Sequence, residues 1–377
     1  CLIMLNYEIQ PFIADLKNFD NAVIDCYAFV QTLNQEEILF IKKMAKASMI
    51  GASTRIENAQ LTDIEVNWLD TVLQTDGKPT AFEANRELIE DKLSKDRERS
   101  YEEVAGCRAM LNMILDEASS WKPLRENDIR SLHYLLLKPY TKAGPNVGQY
   151  KVQPNYVVEV NQVTKESRAV FKTADAGPIT AAAMNDLLVW YNQAIQESAW
   201  PITVATEFVF RFLAIHPFQD GNGRLGRGLF VLSLLQANNH AMNSLVPLIA
   251  LDRHIEKRKE EYYLTLNRCS DGIFKQNAKE YKMEYFLRFM LRAANDALGD
   301  VRVYHQRFIN IKKLSESAST VYSCFQNFPE IRLTNQKICQ ETKLPRRTVA
   351  YCLAQLVEMG LVQKYGEGAG VRYQITF

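Results

Sequence analysis

Over residues 36–52 the apolar side chains fall at Ile38, Ile41, Ala45 and Met49, a spacing of three and four that predicts an amphipathic helix ending near Gly51. Ser53 then opens a separate short helix, whereas residues 1–30 are mixed and Pro11 breaks their apolar run. A segment of alternating charge, 85–103, predicts a solvated helix or a connection, and the first unit boundary falls there. The helical period returns over 102–118, 125–137, 179–198, 201–215, 225–236 and 255–267. Residues 150–163 depart from it. There Tyr150, Val152, Tyr156, Val157, Val158, Val160 and Val163 cluster around Pro154 and Asn155, the pattern of a small β-hairpin. From Ser315 three short helical segments lead to two strands, 361–365 and 371–375, around a glycine-rich tip. Thr334 and Pro345 open the second and third helices and Gly360 stops the third, the layout of a winged helix-turn-helix.

Composition agrees with a mainly helical chain. Glycine (16) and proline (12) are scarce among 377 residues, and 47% hydrophobic with 24% charged residues excludes disordered, collagen-like and low-complexity classes. At roughly 100 to 200 residues per domain the length gives two or three units. Lysine and arginine (45) balance aspartate and glutamate (44), so no global field draws the chain to nucleic acid or a membrane. Seven cysteines, odd in number and never spaced C-x-x-C, read as reduced thiols in a cytosol. The most apolar stretch, 200–218, carries Glu207 and Arg211, and the run 229–235 is far shorter than the roughly 20 residues a bilayer needs, so no membrane span is expected. No signal-peptide series opens the chain, and its start at Cys1 suggests that further residues precede it.

The chemistry concentrates between two apolar helices, in 204–236. Val204, Phe208, Phe212 and Ile215 line one helix, Leu229 to Leu235 fill the other, and between them stand His216, Asp220, Gly221, Asn222, Gly223, Arg224 and Arg227. The Gly221-Asn222-Gly223 run at a helix N-terminus forms an anion-cradling nest of backbone N–H groups. Arg224 and Arg227 share one face of the first turn, where the helix dipole disfavours cations unless an anion is held. With Asp220 beside them they make a polyphosphate site able to seat a divalent metal, and His216 at its mouth is placed as a general base. The letters Gly221 to Gly226 also fit G-x-G-x-x-G, but a helix rather than a strand precedes them, which excludes a dinucleotide fold.

The run His216-Pro217-Phe218-Gln219-Asp220-Gly221-Asn222-Gly223-Arg224-Leu225-Gly226-Arg227 resembles the signature of the Fic family, H-P-F-x-[D/E]-G-N-G-R-x-x-R, at every specified position. The likeness extends from about 102 to about 291. It implies a helical-bundle core with a small β-hairpin flap, here 148–163, and transfer of AMP from ATP to a Ser, Thr or Tyr hydroxyl of a target protein docked on the flap. Carried over by residue, His216 takes the hydroxyl proton and Asp220 holds Mg²⁺ or Mn²⁺. Gly221, Asn222 and Gly223 cradle phosphate oxygens, Arg224 and Arg227 bind the leaving phosphates, and Tyr262 and Tyr263 lie where relatives contact the adenine. Ser53 to Asn58 resembles the same family's inhibitory motif, [S/T]-x-x-x-E-[G/N], in the class that carries it N-terminal to the core. That implies Glu57 paired with Arg227, blocking the γ-phosphate position.

The expected organisation is therefore an N-terminal helical region with the inhibitory helix (1–100), a Fic core (101–300) and a winged helix-turn-helix (312–377). From Glu330 onward seven basic residues stand against four acidic ones, and Arg346 and Arg347 open the candidate recognition helix, so DNA is a candidate partner, as are self-modification and a homodimer. Two alternatives to the autoinhibited transferase stay open: removal of AMP from a modified protein at the same site, and a DNA-binding regulator whose Fic core senses nucleotide. His133, His240, His254 and His305 have no spaced partners and read as structural.

Overall fold

The helices that frame the site exist because their apolar positions recur at the helical period. The computed structural model describes residues 5–57, 59, 66, 74–75, 78–79, 98–140, 144, 147–160, 167–327 and 332–375. Helix α1 (Ile13–Val30) buries Leu16, Phe19, Val23, Cys26 and Val30, a period hidden in the stretch read as mixed. Helix α2 (Gln35–Ile56) is capped by Asn34, whose side chain accepts from Glu37 N–H while Glu37 reaches back to Asn34 N–H. It does not stop at Gly51. The helix runs through the buried Gly51, and the Thr54 hydroxyl donates to the carbonyls of Ile50 and Gly51, so Ser53 lies in its last turn rather than in a new helix.

Helix α3 (Glu98–Glu117) begins earlier than expected, and its Ser100, Glu102, Glu103 and Arg108 are buried, not solvated. Residues 85–97 of the proposed connection lie outside the described residues. Helix α4 (Glu126–Leu137) follows, then α5 (Pro178–Glu197) and α6 (Pro201–Ile215). Helix α7 (Asn222–Gln236) starts three residues before the expected Leu225, taking the signature glycine, asparagine and arginine into its first turn. Helices α6 and α7 are buried over most of their length. The two charges in α6 are compensated: Glu207 accepts from the Asn6 side chain and pairs with Arg211 at 3.4 Å, and the Arg211 guanidinium stacks 4.8 Å above Trp190.

After the short α8 (His240–Leu245), the single helix expected over 255–267 is two, α9 (Leu251–Glu256) and α10 (Lys259–Ser270). Helix α11 (Glu284–Lys312) is the longest described and was not foreseen. It anchors α2 through Glu37 to His305 (2.9 Å) and Glu36 to Lys312.

Beyond two short paired strands, β1 (Gln74–Thr75) and β2 (Lys78–Pro79), the hairpin near the site pairs β3 (Tyr156–Val160) with β4 (Ser167–Lys172), antiparallel, with a register shift between Val157 and Val158. The flap therefore lies further along the chain than 148–163, because Tyr150 to Asn155 are not a strand but a segment bound to the signature loop. The end of β4 is tied down where Lys172 donates to Gly272 and accepts from Phe274.

The C-terminal elements follow the expected order: α12 (Glu316–Asn327), α13 (Asn335–Thr342), α14 (Arg346–Glu358), β5 (Val362–Tyr365) and β6 (Arg372–Ile375). Thr334 caps α13 by accepting from Lys337 N–H, and Leu333 pairs with Tyr373 beside the hairpin. They enclose their own apolar cluster around Val321, Phe325, Ile338, Val349, Leu353 and Leu356.

Candidate active site

His216 closes α6 in the left-handed conformation, φ 53° and ψ 58°, which bulky residues adopt only when the surroundings compensate. Its N–H donates to Phe212 O at 2.9 Å, and its carbonyl accepts from Asn155 Nδ2 at 3.3 Å. Ring Nδ1 lies 3.2 Å from Leu213 O. A carbonyl only accepts, so Nδ1 carries the hydrogen and Nε2 carries the lone pair. Burial pushes the imidazole down to about 4, and the Lys151 ammonium acts in the same direction, against the Leu213 carbonyl, Glu57 and Asp220. At neutral pH the ring is an uncharged base.

The loop that follows is held open by side chains the sequence reading left unassigned. Lys151, almost wholly buried, donates to Ile215 O (3.0 Å), Asn155 Oδ1 (2.8 Å) and Thr173 Oγ1 (2.9 Å), which satisfies all three of its ammonium protons. Burial lowers it to about 8. Asn155 also donates to Phe218 O at 2.7 Å. His133 stacks face to face on Phe218 at 3.8 Å, accepts from Gly148 N–H at Nδ1 (2.9 Å) and lies 3.0 Å from Asp220 O through Nε2. It was read as merely structural, yet it joins α4, the segment leading to the flap and the signature loop. Nothing in linear spacing points to these residues, since 133, 151 and 155 meet 216–220 only in the fold.

Gly221 is left-handed (φ 78°) and caps α7, with its carbonyl accepting from Leu225 N–H as the first intrahelical bond. The N–H groups of Asn222, Gly223 and Arg224 thus point out of the helix start. Two details differ from the expected nest. Gly223 is helical, so it is needed for its missing side chain rather than for backbone freedom: a Cβ there would lie 2.3 Å from Glu57 Oε1. The Asn222 side chain does not face outward but clamps Phe218, accepting from its N–H (3.0 Å) and donating to its carbonyl (2.7 Å).

Arg227 is buried and bound on several sides. It donates from Nε to Ser53 Oγ (2.9 Å) and from Nη2 to both Ser53 O (2.8 Å) and Glu57 Oε1 (3.0 Å). Asp252 stands 3.8 Å from its Nε. Against the burial that would lower it, Glu57 and Asp252 hold Arg227 above the usual guanidinium range, while burial raises Asp252 to about 6 despite Arg227. Arg224 lies 3.4 Å from Asp220 and 3.9 Å from Glu103. Its Nε and Asp252 Oδ1 are buried without a hydrogen-bond partner, and both residues line a cavity of about 10 Å³, room for one water molecule.

Ser53, Glu57, Asp220, Arg224 and Arg227 are thus brought together with the start of α7, and Asn58 lies outside the described residues. Asp220 is half-exposed, with Oδ1 taking the Gly221 N–H at 2.6 Å. A half-exposed carboxylate beside a helix start suits an ion that takes one carboxylate and completes its shell with phosphate oxygens and water. Tyr262 is buried against Phe286 and Phe289 with Arg227 nearby, whereas its edge-on neighbour Tyr263 keeps exposed surface. Of the pair, Tyr263 alone has surface open to solvent.

The chain resembles solved structures along its full length. A Fic family protein from Desulfovibrio desulfuricans G20 aligns over 99% of this chain and 98% of its own, at 22% identity and a TM-score of 0.56. A Fic domain-containing signaling protein from Bacteroides thetaiotaomicron VPI-5482 aligns over 78% of this chain and 97% of its own, at 22% identity and a TM-score of 0.58. Fic-1 from C. elegans aligns over 78% of this chain and 73% of its own, at 18% identity and a TM-score of 0.53. At these identities the likeness establishes the fold. Residues 123–234 match the Fic/DOC family directly, which places α4 to α7, the flap and the whole His216 to Arg227 loop within a Fic/DOC family domain.

Proposed function

We propose that this protein is an autoinhibited protein adenylyltransferase, moving AMP from ATP to a Ser, Thr or Tyr hydroxyl of a target protein. The observation that carries this reading is the neutral imidazole of His216, Nδ1 fixed on Leu213 O, at the mouth of a helix start that also bears two buried arginines. An acceptor nitrogen next to an anion cradle suits a reaction in which a hydroxyl attacks a phosphorus centre.

In this mechanism the hydroxyl oxygen bonds to the α-phosphorus while its proton passes to His216 Nε2. The bond from the α-phosphorus to the bridging oxygen breaks, and pyrophosphate leaves against Arg224, Arg227 and the N–H groups of Gly223 and Arg224. Asn222 acts indirectly, by fixing the loop through Phe218. Asp220 would hold Mg²⁺ or Mn²⁺, which supplies charge neutralisation on the phosphates when bound. The β3–β4 hairpin would align the target by strand addition, and Tyr263 would meet the adenine. Binding a polyanion raises the His216 pKa from about 4, so the base strengthens when ATP arrives.

Glu57 supplies the inhibition. Its carboxylate occupies Arg227 Nη2 at 3.0 Å, where the leaving phosphate is to sit, and two anions cannot share that edge. The test uses wild type, Glu57→Gly and His216→Ala with ATP labelled at the α-phosphate and Mg²⁺. Label on the enzyme or on a lysate protein should rise at least about tenfold with Glu57→Gly, the scale of one lost charge-assisted contact. It should vanish in the His216→Ala, Glu57→Gly double variant. Equal labelling by wild type and Glu57→Gly would remove the inhibition, and label that survives His216→Ala would remove the base. Label lost from a premodified protein, and retained with Glu57→Gly, would instead assign the reverse reaction.

A further inference from the structure

The proposed transfer leaves the C-terminal unit without a task, and its surface is not neutral. Arg346 and Arg347 are exposed in the first turn of α14, where the helix dipole disfavours cations, and neither has an ion-pair partner among the described residues. Lys343, left-handed at φ 57° in the turn before the helix, is exposed beside them. On the hairpin, Lys364 and Arg372 are exposed as well. The acids are elsewhere or spoken for: Glu341 is paired with Lys337 at 2.6 Å, Glu358 is the last residue of α14 and Glu367 lies at the hairpin tip.

The outward face of α14 is narrow. Ala350 and Ala354 are exposed in mid-helix, and next to them Tyr351 is 72% exposed, the most exposed large hydrophobic side chain among the described residues. A protein-docking helix presents a row of bulky apolar anchors at such positions, and this one presents two alanines and the single ring of Tyr351. Small residues let the helix backbone come close to its partner, and an alanine methyl is the size of contact a thymine methyl accepts. A helix of about 10–12 Å diameter also fits a major groove about 12 Å wide.

We infer that α14 and the β5–β6 hairpin form a double-stranded DNA-binding surface, with Arg346, Arg347, Ala350 and Tyr351 in the major groove and Lys343, Lys364 and Arg372 on the phosphates. Charge on the turn, the helix start and the hairpin together matches a duplex, whose phosphates flank the groove on both sides, better than a single acidic peptide.

The test titrates the full chain into a fluorescein-labelled duplex of about 30 base pairs, three helical turns, and follows anisotropy. Contact with about three phosphates predicts that affinity falls roughly fortyfold between about 50 and 200 mM salt. The Arg346→Ala, Arg347→Ala variant should bind at least about tenfold more weakly, and Ala350→Glu should abolish binding with an unchanged circular dichroism spectrum. Three results would each overturn the inference: no binding at low salt, binding indifferent to the arginine variant, or polyglutamate competing as well as unlabelled duplex. The last would mark a surface for acidic protein instead. Both arginines are solvent-exposed, so their variant leaves the folded unit intact and the result readable even if Ala350→Glu misfolds.

Discussion

The two histidines nearest the signature loop share a charge state for different reasons. His216 is neutral because it is buried, with Nδ1 on Leu213 O and the lone pair left at Nε2. His133 is neutral because both ring nitrogens are committed, one accepting from Gly148 N–H and the other donating to Asp220 O, and protonation would turn the acceptor into a donor facing a donor. Burial lowers His133 from 6.5 to about 4, against the Asp220 carbonyl and carboxylate. A depressed folded value means the unfolded chain binds more protons between about 4 and 6.5, so the contribution of His133 is complete above 6.5 and is lost as pH falls toward 4. Asp252, raised to about 6, has the opposite slope over part of that window, so the wild-type curve alone is ambiguous. The difference between wild type and His133→Phe, which keeps the stack on Phe218, isolates the group. Urea titrations should show the wild-type advantage growing with pH from 4 to 6.5 by up to about 1.4 kcal/mol per unit, then levelling. A pH-independent difference would mean that folding leaves the His133 pKa where it stands in the unfolded chain. His216, Asp220, Arg224 and Arg227 were legible beforehand because they are contiguous. His133, Lys151, Asn155 and Asp252 were not, because packing alone assembles them.

Elements carry the contact between Glu57 and Arg227. The sequence suggests a short helix beginning at Ser53, but α2 continues unbroken through Gly51 and delivers Glu57 from its C-terminal end. There the helix dipole disfavours a carboxylate, which makes Arg227 a stronger attraction. Glycine misleads at Gly51 because burial outweighs its intrinsic cost of about 1 kcal/mol in a helix, and it misleads at 221–223 because only Gly221 needs a positive φ. The hairpin is present as an element but displaced in position, since Lys151 and Asn155 bind the signature loop instead of a partner strand. Gly223 links α7 to α2 most directly. In Gly223→Ala the new Cβ meets Glu57 Oε1 at 2.3 Å, and the carboxylate, a flexible end, must leave Arg227. Stability should therefore fall by about 1 kcal/mol in the wild-type background, but hold or rise slightly with Glu57→Gly, where only the helix preference for alanine remains. Chemical denaturation of the four proteins closes the cycle. Additive effects would mean that Glu57 does not approach Gly223 in solution.

At the scale of the molecule, the apolar interior falls into two clusters. One gathers buried residues from Phe12 to Tyr304, including α6 and α7, and the other runs from Ala318 to Ile375 and shares no residue with the first. The site is embedded in the larger cluster, with Ser53, Glu57, Asp252 and the signature loop all supplied by elements of it. The two cores share no buried side chain and meet through Ile311, at the end of α11, and Leu314, which pack against the second, so each should melt as its own cooperative unit. Leu353 is wholly buried in the second core. Leu353→Ala removes that packing at a cost of about 2–5 kcal/mol, set by how far the neighbours collapse into the space. In scanning calorimetry one transition should move down by several degrees while the other stays in place. AMP transfer by Glu57→Gly should be unchanged at temperatures below both transitions, because none of the proposed catalytic groups rests on Leu353. A single transition that shifts as a whole would show instead that the two cores are energetically joined, and that stability of the C-terminal unit reaches the phosphate cradle.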